Sequence, residues 1–596
     1  MSASTPPPFT AAIERLSVNR DTRQLLAACI LVLVSGCLPE WLRDDYWTHS
    51  FQLVNLFIAV AVCQNLLMHD AGQSSFGQGA IFGVAAYGAA IATHSASLHY
   101  GVGVLIGVAC ALIAGFLYAL PALRVQGYYL GFVTLSAATV FPEMLVALNQ
   151  YTNGVNGISI NFNRWHDRSL LGLSPITLLV TGLACASLAA HLLIRRTALG
   201  RRLHVAAISP EAAQSLGVSP GLMRFTAFLL VSIGTGLAGT LYAPVVGFIS
   251  PVAFHLDTSV LFFLAVIVGG RGHIMGPVVG VWVLYLLPNI LLAELNQYRL
   301  LAYGVAALVF MLAMPDGIIG TYERWRRKRH TSQPELRLGL DGLLDMARIH
   351  PRQTTGQRDN SWAVELKGGR KSYGAVSALD GVDFRVRRHQ IHGLVGANGS
   401  GKTTLLNALS GFARLDAGSL QIAGTEVSRM AAHRIVGLGL GRTFQQPRVF
   451  AAMSLWENVQ VGLDAHRVNA AGWTGATTAS LKESLSGRSV ELVPHGQRRL
   501  VELMRVVLTG ADILLLDEPA AGLSPLEREQ FKSLLIRLRD ELGTTIVLVE
   551  HDLDLVWGIA DTITVLETGK VVANGSKADI DSNPAVRRLF IQPGHA

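Results

Sequence analysis

No lysine occurs before Lys328 in this 596-residue chain, and long apolar stretches fill residues 24–314. A helix needs ~20 consecutive apolar residues to cross the hydrocarbon of a bilayer. Lipid offers an open backbone nothing to hydrogen-bond, so such stretches are confined to closed structures, here helices. Ten segments fit: Leu25–Leu38, Phe51–Met68, Phe76–Thr93, Gly101–Leu120, Tyr128–Leu148, Leu170–Ile194, Leu222–Ala243, Thr258–Gly269, Met275–Ala293 and Leu300–Ala313. The first and eighth are weak, so eight to ten spans are expected. Arg195, Arg196, Arg201 and Arg202 follow the sixth segment; Arg324, Arg326, Arg327, Lys328 and Arg329 follow the tenth. Basic residues gather on the cytoplasmic side. With Arg15, Arg20 and Arg23 ahead of the first segment, an even number of spans places both ends there.

Charged residues make up 15% of the chain, against about 25% in a soluble protein. Much of the net charge of +8 lies in the run after the last span. It therefore reads as a topology signal, and no nucleic-acid partner is expected. About two dozen largely polar residues precede the first apolar run, which reads as a retained span rather than a cleavable leader. The five cysteines, Cys29, Cys37, Cys63, Cys110 and Cys185, are irregularly spaced in the apolar half. They suggest neither a disulfide framework nor a zinc set. Small residues recur inside spans, as at Gly83, Ala85, Ala86 and Gly88 and at Gly234, Gly236, Ala238 and Gly239. Packing of helix backbones accounts for them. Glu143, after Pro142, is either a transport group at membrane depth or an interfacial carboxylate.

Beyond residue 320 the composition changes. Residues 321–362 are polar and basic, with Pro334 and Pro351, and read as a connector. Residues 363–596 read as a soluble α/β domain. Gly396-Ala-Asn398-Gly399-Ser400-Gly401-Lys402-Thr403-Thr404 follows the apolar run Ile391–Val395 and opens an apolar helical pattern. That is the context of a phosphate-binding loop, whose glycines let backbone N–H groups converge on phosphate oxygens. Lys402 is expected on the β- and γ-phosphates and Thr403 on Mg²⁺, so ATP and Mg²⁺ are the expected cofactors. Ile513-Leu-Leu-Leu-Asp517-Glu518 is a buried-strand pattern ending in two acids. Carboxylates there are costly unless they serve a cation or a reaction. Asp517 is expected to hold Mg²⁺ through water, and Glu518 to polarise an attacking water.

Between the sixth and seventh segments the chain reads Glu211-Ala212-Ala213-Gln-Ser-Leu-Gly217, then a turn at Ser219-Pro220-Gly221. A short helix outside the membrane is expected, suited to carry movement from a soluble motor to the flanking spans.

These words carry a resemblance. Glu211-Ala-Ala-x-x-x-Gly217 resembles the coupling loop of bacterial ABC importer permeases. With Pro121-Ala-Leu-Arg-Val-Gln-Gly-Tyr-Tyr-Leu, Thr152-Asn-Gly-Val-Asn-Gly-Ile, Val268-Gly-Gly-Arg-Gly and Pro315-Asp-Gly-Ile-Ile-Gly, residues 50–320 resemble the M-type permease subunit of the branched-chain amino acid (Liv-type) importers. Arg442-Thr-Phe-Gln445 is similar to the glutamine loop of ABC ATPases, Ala521-Gly-Leu-Ser524 to their D-loop, and Thr545–His551 to their switch strand. The resemblance, which points to the Liv-type G subunit, places Gln445 on Mg²⁺, His551 on the γ-phosphate, Tyr373 on adenine, and Gly496 and Gln497 at the end of the signature.

The implied architecture is multi-domain: an all-α polytopic membrane domain (1–320), a linker (321–362) and an α/β P-loop ABC ATPase domain (363–596). The implied function is a permease–ATPase subunit importing branched-chain or related amino acids across the bacterial inner membrane. Its implied partners are an H-type permease, an F-type ATPase and a periplasmic solute-binding protein, with a homodimer as the alternative assembly. Urea, amides and aromatic acids remain as alternative solutes. The chain departs from the pattern twice. Val493-Pro494-His495-Gly496-Gln497 stands where the family has Leu-Ser-Gly-Gly-Gln, which leaves open a regulatory unit with weak turnover. The stretch from Phe450 to Gly496 is also short, with a Gly/Thr/Ala/Ser-rich piece at Ala470–Ser480.

Overall fold

The computed structural model describes residues 8–94, 98–125, 127–167, 172–291, 298–328, 361–465, 485, 490, 493–551 and 553–590. Two compact units are present. One comprises Met1–Ile208 with Pro220–Gln333; the other comprises Ser209–Ser219 with Pro334–Ala596.

The first unit is helical. Among the described residues seven helices are long and apolar enough to cross a membrane: Asp21–Trp41, Asp45–Asp70, Tyr100–Ala122, Tyr129–Ala147, Pro175–Arg196, Pro220–Val246 and Pro251–Gly269. Seven is fewer than the ten segments read from hydropathy. The other three are helical but shorter: Gln78–His94 has 17 residues, Arg299–Ala313 has 15, and Gly276–Val281 passes into a π-helical stretch, Trp282–Leu291. Gln78–His94 is an interior helix, with Ile81, Phe82, Ala85, Ala86, Ala89 and Ala90 fully buried. Small residues on its neighbours allow backbone-to-backbone packing, since a Cβ on Gly239 would lie 2.3 Å from the Phe82 carbonyl oxygen and one on Gly107 2.5 Å from that of Ala85. Close approach of this kind drives helix association in lipid. Leu105, Ile113, Leu117 and Phe132 face outward, exposed. Glu143 is also exposed on its helix, and all five cysteines are free.

The second unit carries two sheets. The larger runs in the order Lys570–Gly575, Thr562–Glu567, Ile391–Val395, Thr545–Val549, Ile513–Asp517, Leu440–Arg442. All its pairs are parallel except the first. The three central strands, IHGLV, ILLLD and TIVLV, are buried throughout. A continuous apolar run is what a strand covered on both faces requires. The smaller, antiparallel sheet orders Val376–Arg387, Trp362–Tyr373, Ala417–Ile422 and Thr425–Glu426. One core lies between the two sheets around Leu405, Leu406 and Leu409. The other packs helices His495–Val507 and Pro525–Leu542 on the opposite face. Pro525–Leu542 starts at a capping box between Ser524 and Glu527 and stops at left-handed Gly543, as helix-end chemistry requires.

Of the expected connector, residues up to Lys328 belong to helix Gly317–Lys328. Residues 329–360 lie outside the described residues, as do Ala470–Ser480 and their surroundings, 466–484.

Candidate functional site

Register brings the site together. Asp517 pairs with Val549, and Val549 with Leu394. The ends of three adjacent parallel strands therefore lie side by side. One leads into the glycine-rich loop, one ends in Asp517-Glu518, and one runs on to Glu550-His551. The carboxyl ends of parallel strands are where α/β sheets place their ligands.

The loop bends through left-handed glycines: Gly399 has φ +80° and Gly401 φ +104°. A Cβ at Gly401 would sit 2.4 Å from the Ala378 carbonyl oxygen, so no other residue fits there. Gly401 caps helix Lys402–Leu409. Lys402 Nζ donates to the carbonyls of Gly396 (2.7 Å) and Ala397 (2.9 Å), turned back into the loop. Burial lowers its pKa, which Glu518 and Asp517 counter. Ser400 Oγ is buried with no hydrogen-bond partner among the described residues. An orphaned hydroxyl, a folded-back ammonium and an N-terminal helix end around one cradle suit a polyphosphate. Asn398 and Thr403 are exposed at its rim, and Thr404 is half-buried. Tyr373 stands half-exposed at the end of its strand, with Lys371 Nζ 5.3 Å from its ring.

Glu518 has φ +47°, a backbone region in which non-glycine residues are strained. The strained residue is held on three sides. Its N–H donates to the Val549 carbonyl (2.8 Å), and its own carbonyl accepts from Arg499. Its carboxylate accepts from Gln445 Nε2 at 2.9 Å and lies 2.7 Å from His551 Nε2. Asp517 is buried with Arg442 3.7 Å away. Burial raises its pKa and Glu518 adds to this, while Arg442 and Lys402 oppose it. Asp517, Gln445, Glu518, His551 and Lys402, spread over 150 residues of chain, thus meet at one sheet edge. The oxygens of Thr403, Gln445 and Asp517 are the hard donors that suit Mg²⁺.

Sequence reading missed the framework behind Gln445. Arg499 donates to the Gln445 carbonyl (2.8 Å), and Arg505 to that of Arg448 (2.8 Å). The Arg448 N–H donates to Glu502 (3.2 Å). Helix His495–Val507 therefore clamps both ends of Gln445–Arg448. The available signal was the run Arg499, Glu502, Arg505 at three-residue spacing, which places three charges on one helix face. Pro494 is the N-cap (ψ 149°), and the helix begins at His495. Gly496 and Gln497 occupy its first turn, and the Gln497 side chain lies outside the described residues.

Glu211 belongs to the same compact unit. Ser209 caps helix Pro210–Gln214 through Ala212 N–H. Ala212, Ala213 and Leu216 are buried, and a Cβ on Gly217 (φ +77°) would lie 3.5 Å from Val436. The Glu211 carboxylate pairs with the Arg448 guanidinium, which also reaches Ser209 Oγ and lies over the Phe444 ring. Arg448 is three positions after Gln445, which touches Glu518.

A family model described as branched-chain amino acid transport system / permease component matches residues 48–314. A second, ABC transporter, matches 379–521. The chain is 35% identical over 248 residues to the high-affinity branched-chain amino acid transport ATP-binding protein BraF of Pseudomonas aeruginosa, covering 38% of this chain and 97% of that protein. Identity to the corresponding ATP-binding protein LivG of Salmonella typhimurium is 33% over 247 residues, with the same coverages of 38% and 97%. Among solved structures, a nucleotide-free ATP-binding cassette from an ABC transporter is 26% identical, covering 39% of this chain and 100% of that one at a TM-score of 0.35.

Proposed function

We propose, for a chain that belongs to the ABC transporters of the branched-chain amino acid family and joins their permease and ATPase on one multi-pass polypeptide, that it drives uptake of branched-chain or related amino acids across the bacterial inner membrane. The observation that carries this reading is the Glu518 carboxylate held between Gln445 and His551 beside the phosphate loop. That arrangement is built to activate water. Glu518, held by Gln445 and His551 at its strained backbone turn, takes the proton of the attacking water. His551 orients the carboxylate and reaches the terminal phosphate. Lys402 gives up its carbonyl partners for phosphate oxygens. Thr403, Gln445 and Asp517 would hold Mg²⁺, which neutralises phosphate charge when bound. Asn398, Gly399, Ser400 and Thr404 line the cradle, and Tyr373 stacks on the adenine.

Movement leaves the site through Gln445–Arg448 and enters the permease through the Glu211–Arg448 pair, with Ala212, Ala213 and Gly217 seating the helix. In this reading the ATPase side is cytoplasmic. A second permease subunit, a second ATP-binding subunit whose phosphate loop meets Gly496 and Gln497, and a periplasmic binding protein complete the assembly. Urea, amides or aromatic acids would use the same machinery with another binding protein.

Glu518→Gln is expected to keep nucleotide binding and lose ATP hydrolysis in the assembled complex by ~10²–10⁴-fold, the usual range for a general base. Turnover in wild type that survives this change would transfer the role to another residue. Little turnover in wild type would favour the regulatory reading raised by Pro494, which lacks a hydroxyl for the neighbouring ATP.

A further inference from the structure

The helix that begins at Asp45 does not stop at Asn65; it continues through a π-helical turn, Leu66–Asp70. Such a turn re-aims side chains and is frequent at functional sites. Here it brings His69 and Asp70 beside His204 of helix Ala198–Ile208. Each of the three offers a ligand atom, and these atoms lie within 4.8 Å of one another. The two imidazole rings are 4.9 Å apart, and His204 Nδ1 is 4.0 Å from Asp70 Oδ1.

The surroundings are built around this cluster. Asp70 is 2% exposed, and its other oxygen, Oδ2, is 2.8 Å from His191 Nε2. A buried histidine on the free oxygen of a ligating carboxylate fixes its orientation, the usual role of an outer-shell partner. Gly272 makes room for the His69 ring, since a Cβ there would fall 2.5 Å from it. Arg195 Nε, 3.5 Å from Asp70 Oδ1, is the competing cation, but its Nη1 already donates to the Gly272 carbonyl at 2.9 Å. The guanidinium therefore keeps a seat when Oδ1 is taken.

Two imidazoles and one carboxylate form the donor set of a borderline divalent transition metal, with positions left for water. Bonds of ~2.0–2.1 Å would place tetrahedral donors roughly 3.4 Å apart, so closing the cluster takes about an ångström of side-chain movement. We propose that His69, Asp70 and His204 bind one divalent metal of the Zn²⁺ class. Occupancy ties the end of helix Asp45–Asp70 to the helix that runs directly into Ser209, and so restrains the segment carrying Glu211. The site is thus a brake on coupling, separate from ATP chemistry.

The test uses the full chain in nanodiscs, purified without a histidine tag and titrated with Co²⁺ as probe. Wild type should take up one Co²⁺ per chain with visible d–d absorption. In His204→Gln binding should weaken at least roughly 10–100-fold, the loss that even an outer-shell partner causes. Asp70→Asn removes a buried anion facing Arg195 and is expected to fold poorly, so His69→Gln serves as the second variant. Both histidine variants should retain ATP binding. Zn²⁺ should slow ATP hydrolysis by the assembled wild-type complex and spare the His204→Gln complex. Failure of wild type to hold Co²⁺, or histidine variants that bind it as tightly as wild type, overturns the site. Binding with no effect of Zn²⁺ on hydrolysis overturns the brake.

Discussion

Glu502 shows how a residue outside the motifs is tied to function. It is 2% exposed, accepts the Arg448 N–H and stands 3.9 Å from Arg505. Burial pushes its pKa up to about 7, against the pull of Arg505. A carboxyl whose folded pKa is raised adds stability below its unfolded pKa and loses it as pH rises through the folded value. Between the ordinary carboxyl range and pH 7 the folded protein holds a proton that the unfolded chain has released. Stability should therefore fall with rising pH in that window, by up to about 1.4 kcal/mol per unit from this group. Glu502→Gln keeps the acceptor for Arg448 and should flatten that slope, as thermal unfolding of nucleotide-free protein from pH 5 to 7 would reveal. An unchanged slope would assign the pH dependence elsewhere. None of this was legible beforehand. Sequence shows an acid between two arginines, but only packing shows that water cannot reach it.

At the scale of elements, the helix Pro210–Gln214 has its amphipathic logic written in the chain: proline at its start, a serine cap, and Ala212 and Ala213 turned inward. Its partner was not. Arg448 lies more than 200 residues away, and nothing in its neighbourhood announces Glu211. The pair is part-exposed, so in isolation it contributes ~0–1 kcal/mol; its value lies in orientation. Glu211→Arg should lower the stimulation of ATP hydrolysis by solute and binding protein several-fold, and Arg448→Glu in the same chain should restore much of it. A double variant as poor as the single one would show that the ion pair carries no coupling. The helices of the first unit teach a related lesson. All ten apolar runs fall on helices, but hydropathy could not distinguish a lipid-facing helix from the buried Gln78–His94. Both are apolar, and only neighbours decide which one lipid touches.

For the whole molecule, the assembly proposed above makes this chain, with one permease and one ATPase, half of a transporter. If each ATP is closed between the phosphate loop of one ATP-binding domain and the signature of another, the chain alone should bind nucleotide yet turn it over slowly. Hydrolysis should rise when a second permease and a second ATP-binding subunit are co-expressed, and Lys402→Ala in this chain should abolish ATP binding at its own loop. Full hydrolysis by the isolated chain at limiting dilution would point to a site complete within one polypeptide. The sequence by itself determined the division into a lipid-embedded half and a nucleotide-binding half, and the phosphate-loop chemistry. Hydrophobic run length and motif spacing are local properties, and local properties survive in one dimension. Tertiary structure alone decided which distant groups meet: Glu518 with Gln445 and His551, Glu211 with Arg448, and His69 and Asp70 with His204. Those meetings depend on strand register and helix packing, long-range consequences of burying apolar surface that no stretch of sequence contains.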